Sequence, residues 1–407
     1  MDYPNWVQLA GRRLRLEEVR ADPDGHVRIL AAARAARDAE CLCRTPALRL
    51  VTRCTLHGRH HLAVWPGEGP RHAPQCAFHR LDAEMGGRAA YESAFRESVD
   101  GVSIRFAAPL VSTPGEPRQS VGQATAPGLG RRSVGLLGLL HYLWESSKLS
   151  AWSSSSRSRS WAIVAGVLAE QIPGITINRQ PAQDVLYVVP PYRADAAAAN
   201  LQSFDSFMAS LTADATRLRR GFILGEIKAV HSARYGLRYQ LAQQNPKRQV
   251  FVDERLDAKL RGSYRNAFSD AAERVRGRRI VLFYVERSPG GFATAVDAAV
   301  MLTNRGYIPA DSSYEVQMAD ALAAAGRSYV KPLAFDAAGE HAVTSVVFPD
   351  FVLTDAPATY VEVWGLPGRE DYERRKAEKL AVYQRTAARL IEWTVTESMP
   401  TLSAELR

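Results

Sequence analysis

A carboxylate set inside an apolar strand is the feature that most constrains this chain. Asp350 interrupts the series Val346, Val347, Phe348, Phe351 and Val352, and twelve residues further on Glu362 stands within Tyr360-Val361-Glu362-Val363-Trp364. The two segments read as strands of one hairpin across the turn Thr354 to Ala358. In the second strand Tyr360, Glu362 and Trp364 face one side and Val361 and Val363 the other. A buried carboxylate is costly unless a cation or donor meets it. Two of them on neighbouring strands can share a divalent ion, which polarises a phosphoryl oxygen and generates hydroxide. Asp350 and Glu362 are therefore the candidate ligands for Mg²⁺ or Mn²⁺. The plainer alternative is a surface hairpin in which Asp350 makes a turn and Glu362 is exposed.

The flanking segments extend the pattern. Tyr314 to Ala325 reads as a helix capped by Asp311, Ser312 or Ser313, with Glu315 in its first turn as a third acid that ligates metal or orients water. A strand is expected over Tyr329 to Leu333. Long helices are expected from Arg369 to Leu380 and onward through Ile391, presenting Arg375, Lys376 and Lys379. A lysine from that helix can stabilise charge on a scissile phosphate. Helical acid, Pro-Asp, strand glutamate and basic helix, in this order over residues 311 to 384, resemble the PD-(D/E)xK, or restriction-endonuclease-like, superfamily. The resemblance implies an α/β domain that cleaves DNA with Mg²⁺, Glu315, Asp350 and Glu362 matching the family's acids. Trp364 stands where the family usually has a lysine. Lys379 matches members that carry this lysine on the following helix, with Lys376 second. The departure leaves open a DNA-binding descendant that has lost catalysis.

All four cysteines fall before residue 80. Cys41 and Cys43 form one short pair, and His72 and Cys76 another four residues apart. Together they make a Cys₃His set suited to tetrahedral Zn²⁺. Cys54, His57, His60, His61 and His79 are spare candidates, so the set is open at that level. The surrounding 85 residues have few large apolar side chains, and a structural zinc would supply folding energy that their core lacks. The alternative is four ordinary thiols in a small core.

The chain's 407 residues are too many for one core. The expected organisation is an α/β multidomain protein. Its parts are a zinc-binding domain over residues 1–85, an extended arm or linker over 86–132, and a winged-helix-like domain over 133–195. An α/β middle domain over 196–290 and a restriction-endonuclease-like domain over 291–407 complete it. The turn Ser288 to Gly291 is expected to join the last two. Ser153 to Ser160, with Arg157 and Arg159, is either a phosphate-contacting loop or a solvated one. Gly225-Glu226-Ile227-Lys228 reads as a solvated strand end. No nucleotide-triphosphate loop and no serine-nucleophile elbow is present.

Fifty-two basic residues against 43 acidic ones leave a formal charge of +9. That balance favours a polyanionic partner, here DNA, with protein partners of a DNA-processing complex as an addition. The longest apolar stretch, Val134 to Trp144, is too short to span a bilayer, and no secretory signal is legible. No membrane partner and a reducing, cytoplasmic location are expected. Cys41-Leu42-Cys43, His72 to Cys76, Leu136 to Trp152 and the C-terminal acids also resemble an uncharacterised bacterial family borne on plasmids and integrating elements. This second resemblance implies work in mobile-DNA maintenance or transfer and no established activity.

Overall fold

The computed structural model describes residues 5–54, 58–113, 133–212, 217–335, 348–365, 370–385 and 388–403. Part of the expected arm (114–132), His57, Val346 and Val347 lie outside them. The protein is mixed α/β, with four sheets among the described residues.

The N-terminal sheet is antiparallel, in the order Arg12–Arg15, Trp6–Leu9, Glu40–Cys41, Leu48–Cys54, His60–Val64. The helix Val27–Ala36 covers it, burying Leu30 and Ala33 against Val7, Leu9 and Leu50. A second, four-stranded sheet joins Phe95–Glu97 and Val102–Ile104 to Ile175–Ile177 and Gln180–Pro181.

The third sheet closes on itself. Leu218–Ala233 is long enough to pair twice: Arg220 to Glu226 run against Arg278–Arg287, and Ile227 to Ala233 against Gly236–Leu241, with a register shift between Ile227 and Ala229. Gly236–Leu241 then pairs with Val250–Val252, which lies parallel to Ala293–Thr303, which returns to Arg278–Arg287. Five strands thus form a ring with one parallel contact. Ser288 to Gly291 is the hairpin turn between the last two of these strands, not a joint between domains. The apolar run Ala293–Thr303 belongs to this ring. Glu226 is likewise not a solvated strand end. Arg278 meets its carboxylate at 2.9 Å and the Tyr307 hydroxyl donates to it at 2.9 Å.

The helix Leu136–Ser146 is buried nearly all round, and the Trp144 indole donates to the Tyr307 carbonyl at 3.0 Å. The stretch expected to be winged-helix-like sends its strands to three sheets: Ala151–Trp152 to Tyr329–Val330, Ile175–Ile177 to Val102–Ile104, and Leu186–Val188 to Leu218–Ala233.

The last sheet carries the candidate site. Its order is Arg389–Thr394, Thr359–Trp364, Phe351–Leu353, Tyr329–Val330, Ala151–Trp152. The expected hairpin is present, with Phe351 opposite Val361 and Val352 opposite Tyr360. The helix Ser313–Ala324 packs Met318 and Leu322 with Phe351 and Val361. Glu370–Arg385 is the second helix, and Tyr383 from it meets Tyr360 with ring centroids 5.4 Å apart. Ile391, expected as helical, lies in the strand Arg389–Thr394, which runs parallel to Thr359–Trp364. The β-branched and aromatic residues Ile391, Trp393 and Thr394 favour the strand there over the helical propensity of the segment before it.

Candidate active site and metal centre

Ser312 caps the helix Ser313–Ala324: its hydroxyl accepts from the Glu315 amide at 3.2 Å, and Glu315 reaches back to the Asp311 amide at 3.0 Å. This reciprocal capping holds Glu315 with its side chain 9% exposed. The cation that meets it is Lys331, which follows the strand Tyr329–Val330. Its Nζ is 2.8 Å from Glu315 Oε2, 2.9 Å from Asp311 Oδ2 and 4.0 Å from Asp350 Oδ1, and its side chain is 1% exposed. Burial pulls the ammonium down, but Asp311, Glu315 and Asp350 outweigh it and hold Lys331 protonated.

Asp350 enters the hairpin and accepts from the Val363 amide at 2.7 Å through Oδ2. Burial and then the Glu362 charge push its carboxyl up to about 6, against the pull of Lys331 and Lys379. Burial also raises Glu315 to about 7, with Asp311 and Asp350 adding to the rise against Lys331. A raised Glu315 and a raised Lys331 describe the same pair in opposite senses. The 2.8 Å contact and three surrounding carboxylates decide for a charged lysine shared among them.

Glu362 is 1% exposed, so the hairpin is not a surface one. Lys379 contacts both its oxygens, at 2.9 and 2.8 Å, and the Tyr383 hydroxyl donates to Oε1. Lys379 therefore reaches the acid from the following helix, as its position in the sequence suggested. Lys376 instead lies over the Trp364 ring at 4.9 Å, and the Trp364 indole donates to Glu392 at 2.9 Å. The structure brings Asp350 within electrostatic reach of Glu362, and Glu315 within reach of Asp350 through Lys331. Among the described residues, however, these acids do not form a group of three with ligand atoms within 4.8 Å of one another.

One other cluster does. Cys41, Cys43, His72 and Cys76 place one ligand atom each within 4.8 Å of the others, and such a set could hold a metal ion such as zinc. Cys41 Sγ and Cys76 Sγ are 3.5 Å apart, and His72 Nδ1 is 3.3 Å from Cys43 Sγ and 3.7 Å from Cys76 Sγ. Hydrogen bonding from Cys41, and also from His72 and the Phe78 amide, pulls the Cys76 thiol down to about 4 against burial. A thiolate is the form that binds zinc. His79 stays outside the set, its ring nitrogen 3.1 Å from the His72 carbonyl, and Cys54 sits in a strand opposite His60.

Residues 13–396 match the family described as Protein of unknown function (DUF1173). The chain belongs to that family. No curated protein and no solved structure matches it.

Between the Cys/His cluster and the acidic sheet lies a cavity of about 360 Å³ lined by Arg80, Lys148, Arg159 and Lys331, and by Ser153 and Ser154 of the serine run. Arg80 donates to the His79 and Ser146 carbonyls, Lys148 to that of Cys76, and Arg159 to those of Leu149 and Ala151. None of these three forms an ion pair among the described residues. Sequence reasoning missed Lys331 and Tyr383. The signal for Lys331 was there: a lysine within Tyr329-Val330-Lys331-Pro332-Leu333 is as anomalous as Asp350 within its own apolar run. Tyr383 carried no signal, because a helical tyrosine reads as packing.

Proposed function

We propose that this protein is a divalent-metal-dependent nuclease that hydrolyses DNA phosphodiester bonds at the C-terminal sheet. The observation that carries this reading is the meeting of a buried acid, Glu362, and a partly buried one, Asp350, with two lysines at one sheet. The Glu362 charge adds to the rise of the Asp350 carboxyl, and Lys331 approaches Asp350 while Lys379 contacts Glu362. Helix, acidic hairpin and basic helix packed on a single sheet support the restriction-endonuclease-like reading.

Asp350 and Glu362 would hold Mg²⁺ or Mn²⁺. The fit lies in the donor set: hard carboxylate oxygens in an excess of negative charge, which a divalent cation would relieve. When bound, the ion would supply Lewis acidity and a more acidic water. Glu315, held near neutrality, can move a proton at working pH. Lys379 can transfer its charge from Glu362 to a phosphate oxygen, and Tyr383 keeps Glu362 oriented. Arg80 and Arg159 of the neighbouring cavity favour an approaching phosphate backbone. A structural zinc at the Cys/His cluster and a reducing compartment accord with four free cysteines. Work in mobile-element DNA processing, transfer or defence is the setting that the sequence resemblance alone suggests.

A second reading is a zinc-containing DNA-binding or assembly protein with a degenerate nuclease fold. One observation favours it: Lys379 and Tyr383 already occupy the oxygens of Glu362. The experiment that separates the two is cleavage of linear, nicked, forked and single-stranded DNA with Mg²⁺ or Mn²⁺ by the wild type and by Asp350→Ala. Cutting by the wild type alone is the expected result. A wild type that cuts none of these leaves the binding reading, and equal cutting by Asp350→Ala moves the chemistry elsewhere.

A further inference from the structure

The strand ring has an outer face whose residues are half-buried to exposed. His231, Arg238, Phe251 and Thr294 are register partners across four adjacent strands, so their side chains form one row. The next row, Tyr239, Val250 and Ala293, is buried at 0 to 2% exposure and fills the inside of the ring. The first row therefore points outward. Two turns flank it. Tyr235, in the turn between the first two strands, is 79% exposed, and Phe292, in the turn between the last two, is 57% exposed. Phe292 meets Phe251 edge-on with centroids 5.4 Å apart, which ties its turn to the row.

Cations are interleaved with these rings. The Arg234 guanidinium lies 5.2 Å from the Tyr235 ring centre. Arg238 donates once, to the Ser232 carbonyl at 3.3 Å, and its Nε is buried with no hydrogen-bond partner among the described residues. A guanidinium has five N–H donors, so most of those of Arg238 are left for a ligand. Glu286, the register partner of Thr294, continues the row onto the next strand, where it is buried and paired with Arg220 at 3.2 Å.

Exposed aromatic rings cost solvation, and Tyr235 and Phe292 at the two turn tips stay mostly exposed. Gly236 shows that the first turn is held in place: its φ is +90°, and a side chain there would meet the Val252 carbonyl at 2.5 Å. We propose that this face, with Tyr235 and Phe292 as stacking platforms and Arg234 and Arg238 as phosphate contacts, binds single-stranded nucleic acid. Stacking needs unpaired bases with open faces, and a duplex offers none along its length. Small closed barrels with this kind of strand order use such a face and its flanking turns for oligomeric ligands. The proposal deepens the nuclease reading by naming its substrate class, and rests on that reading only for the cutting step.

The test is fluorescence anisotropy of the full chain, without added divalent metal, with labelled DNA and RNA single strands of about 20 nucleotides and the blunt DNA duplex. Single strands should bind at least about tenfold tighter than the duplex. Tyr235→Ala and Phe292→Ala, both on exposed side chains, should each weaken single-strand binding by about tenfold, and Phe292→Trp should retain it. A preference for DNA or for RNA supports the proposal and identifies the sugar. Asp350→Ala should bind as the wild type does, so failure of cutting and failure of binding stay distinct. Equal affinity for duplex and single strand, or alanine variants with unchanged affinity, overturns the proposal. So does a self-associating wild type that Phe292→Ala makes monomeric without altering nucleic-acid binding, which would assign the patch to a protein contact.

Discussion

Replacing Lys331 by Met isolates the charge that holds the candidate site together, because Met keeps an unbranched apolar chain and removes the ammonium. In the wild type that ammonium serves Glu315 at 2.8 Å, Asp311 at 2.9 Å and Asp350 at 4.0 Å. Glu315 titrates at about 7 and Asp350 at about 6, above their usual 4.5 and 3.8. The fold therefore binds these protons more tightly than the unfolded chain does. The stability they contribute is fully present below about pH 4 and is lost as pH rises through about 6 to 7. At pH 8 both acids are ionised, and Lys331→Met leaves two largely buried carboxylates without their cation, at a cost of about 3–5 kcal/mol. At pH 5 both carry protons, only the exposed Asp311 contact is lost, and the cost falls to roughly 1 kcal/mol. Hydrogen exchange of peptides covering Phe351 to Trp364, corrected for intrinsic rates, reads this locally at the two pH values. Equal loss of protection at pH 5 and pH 8 would refute the electrostatic account and make Lys331 a packing residue.

Protein purified without added metal should carry about one zinc per chain, read by elemental analysis, and Cys76→Ser should lose it together with protection of the Glu40–Cys41 and Leu48–Cys54 strands. A zinc-free chain with those strands folded would defeat this. Lys379→Ala should slow Mg²⁺-dependent cleavage by roughly 10²–10³-fold while leaving Mg²⁺ affinity at or above the wild-type level, since Glu362 loses a competing cation; a wild-type rate in the variant would remove Lys379 from the chemistry. Nucleic-acid affinity should fall steeply between about 50 and 200 mM salt as counterion release weakens, and an affinity indifferent to salt would detach the +9 charge from recognition.

Local signals were strong enough to reveal the acidic hairpin, the capped helix before it and the Cys₃His set. Each of these is a short-range pattern: alternation over a few residues, a cap beside a periodic segment, or ligands a few residues apart. The strand Ala293–Thr303 was missed because it is buried on both faces, and a continuous apolar run carries no period. The same blindness turned the hairpin at Ser288 to Gly291 into a supposed joint between domains.

Identity of side chains and their spacing sufficed to say that Asp350 and Glu362 required partners, and that the cysteines could gather a metal. Which partners they met was a tertiary outcome. Lys331 reaches Glu315 because the strand after one helix returns beneath that helix's own N-terminus, and Lys379 reaches Glu362 because the following helix crosses back over the sheet. Closure of the five-stranded ring was equally beyond local reading. It depends on one strand bending so that its two halves pair with neighbours 66 and 11 residues away, as Arg220 with Glu286 and Ala229 with Gln240 show. Propensity acts over a turn or a strand, whereas the burial of a carboxylate is settled only when distant segments have packed around it.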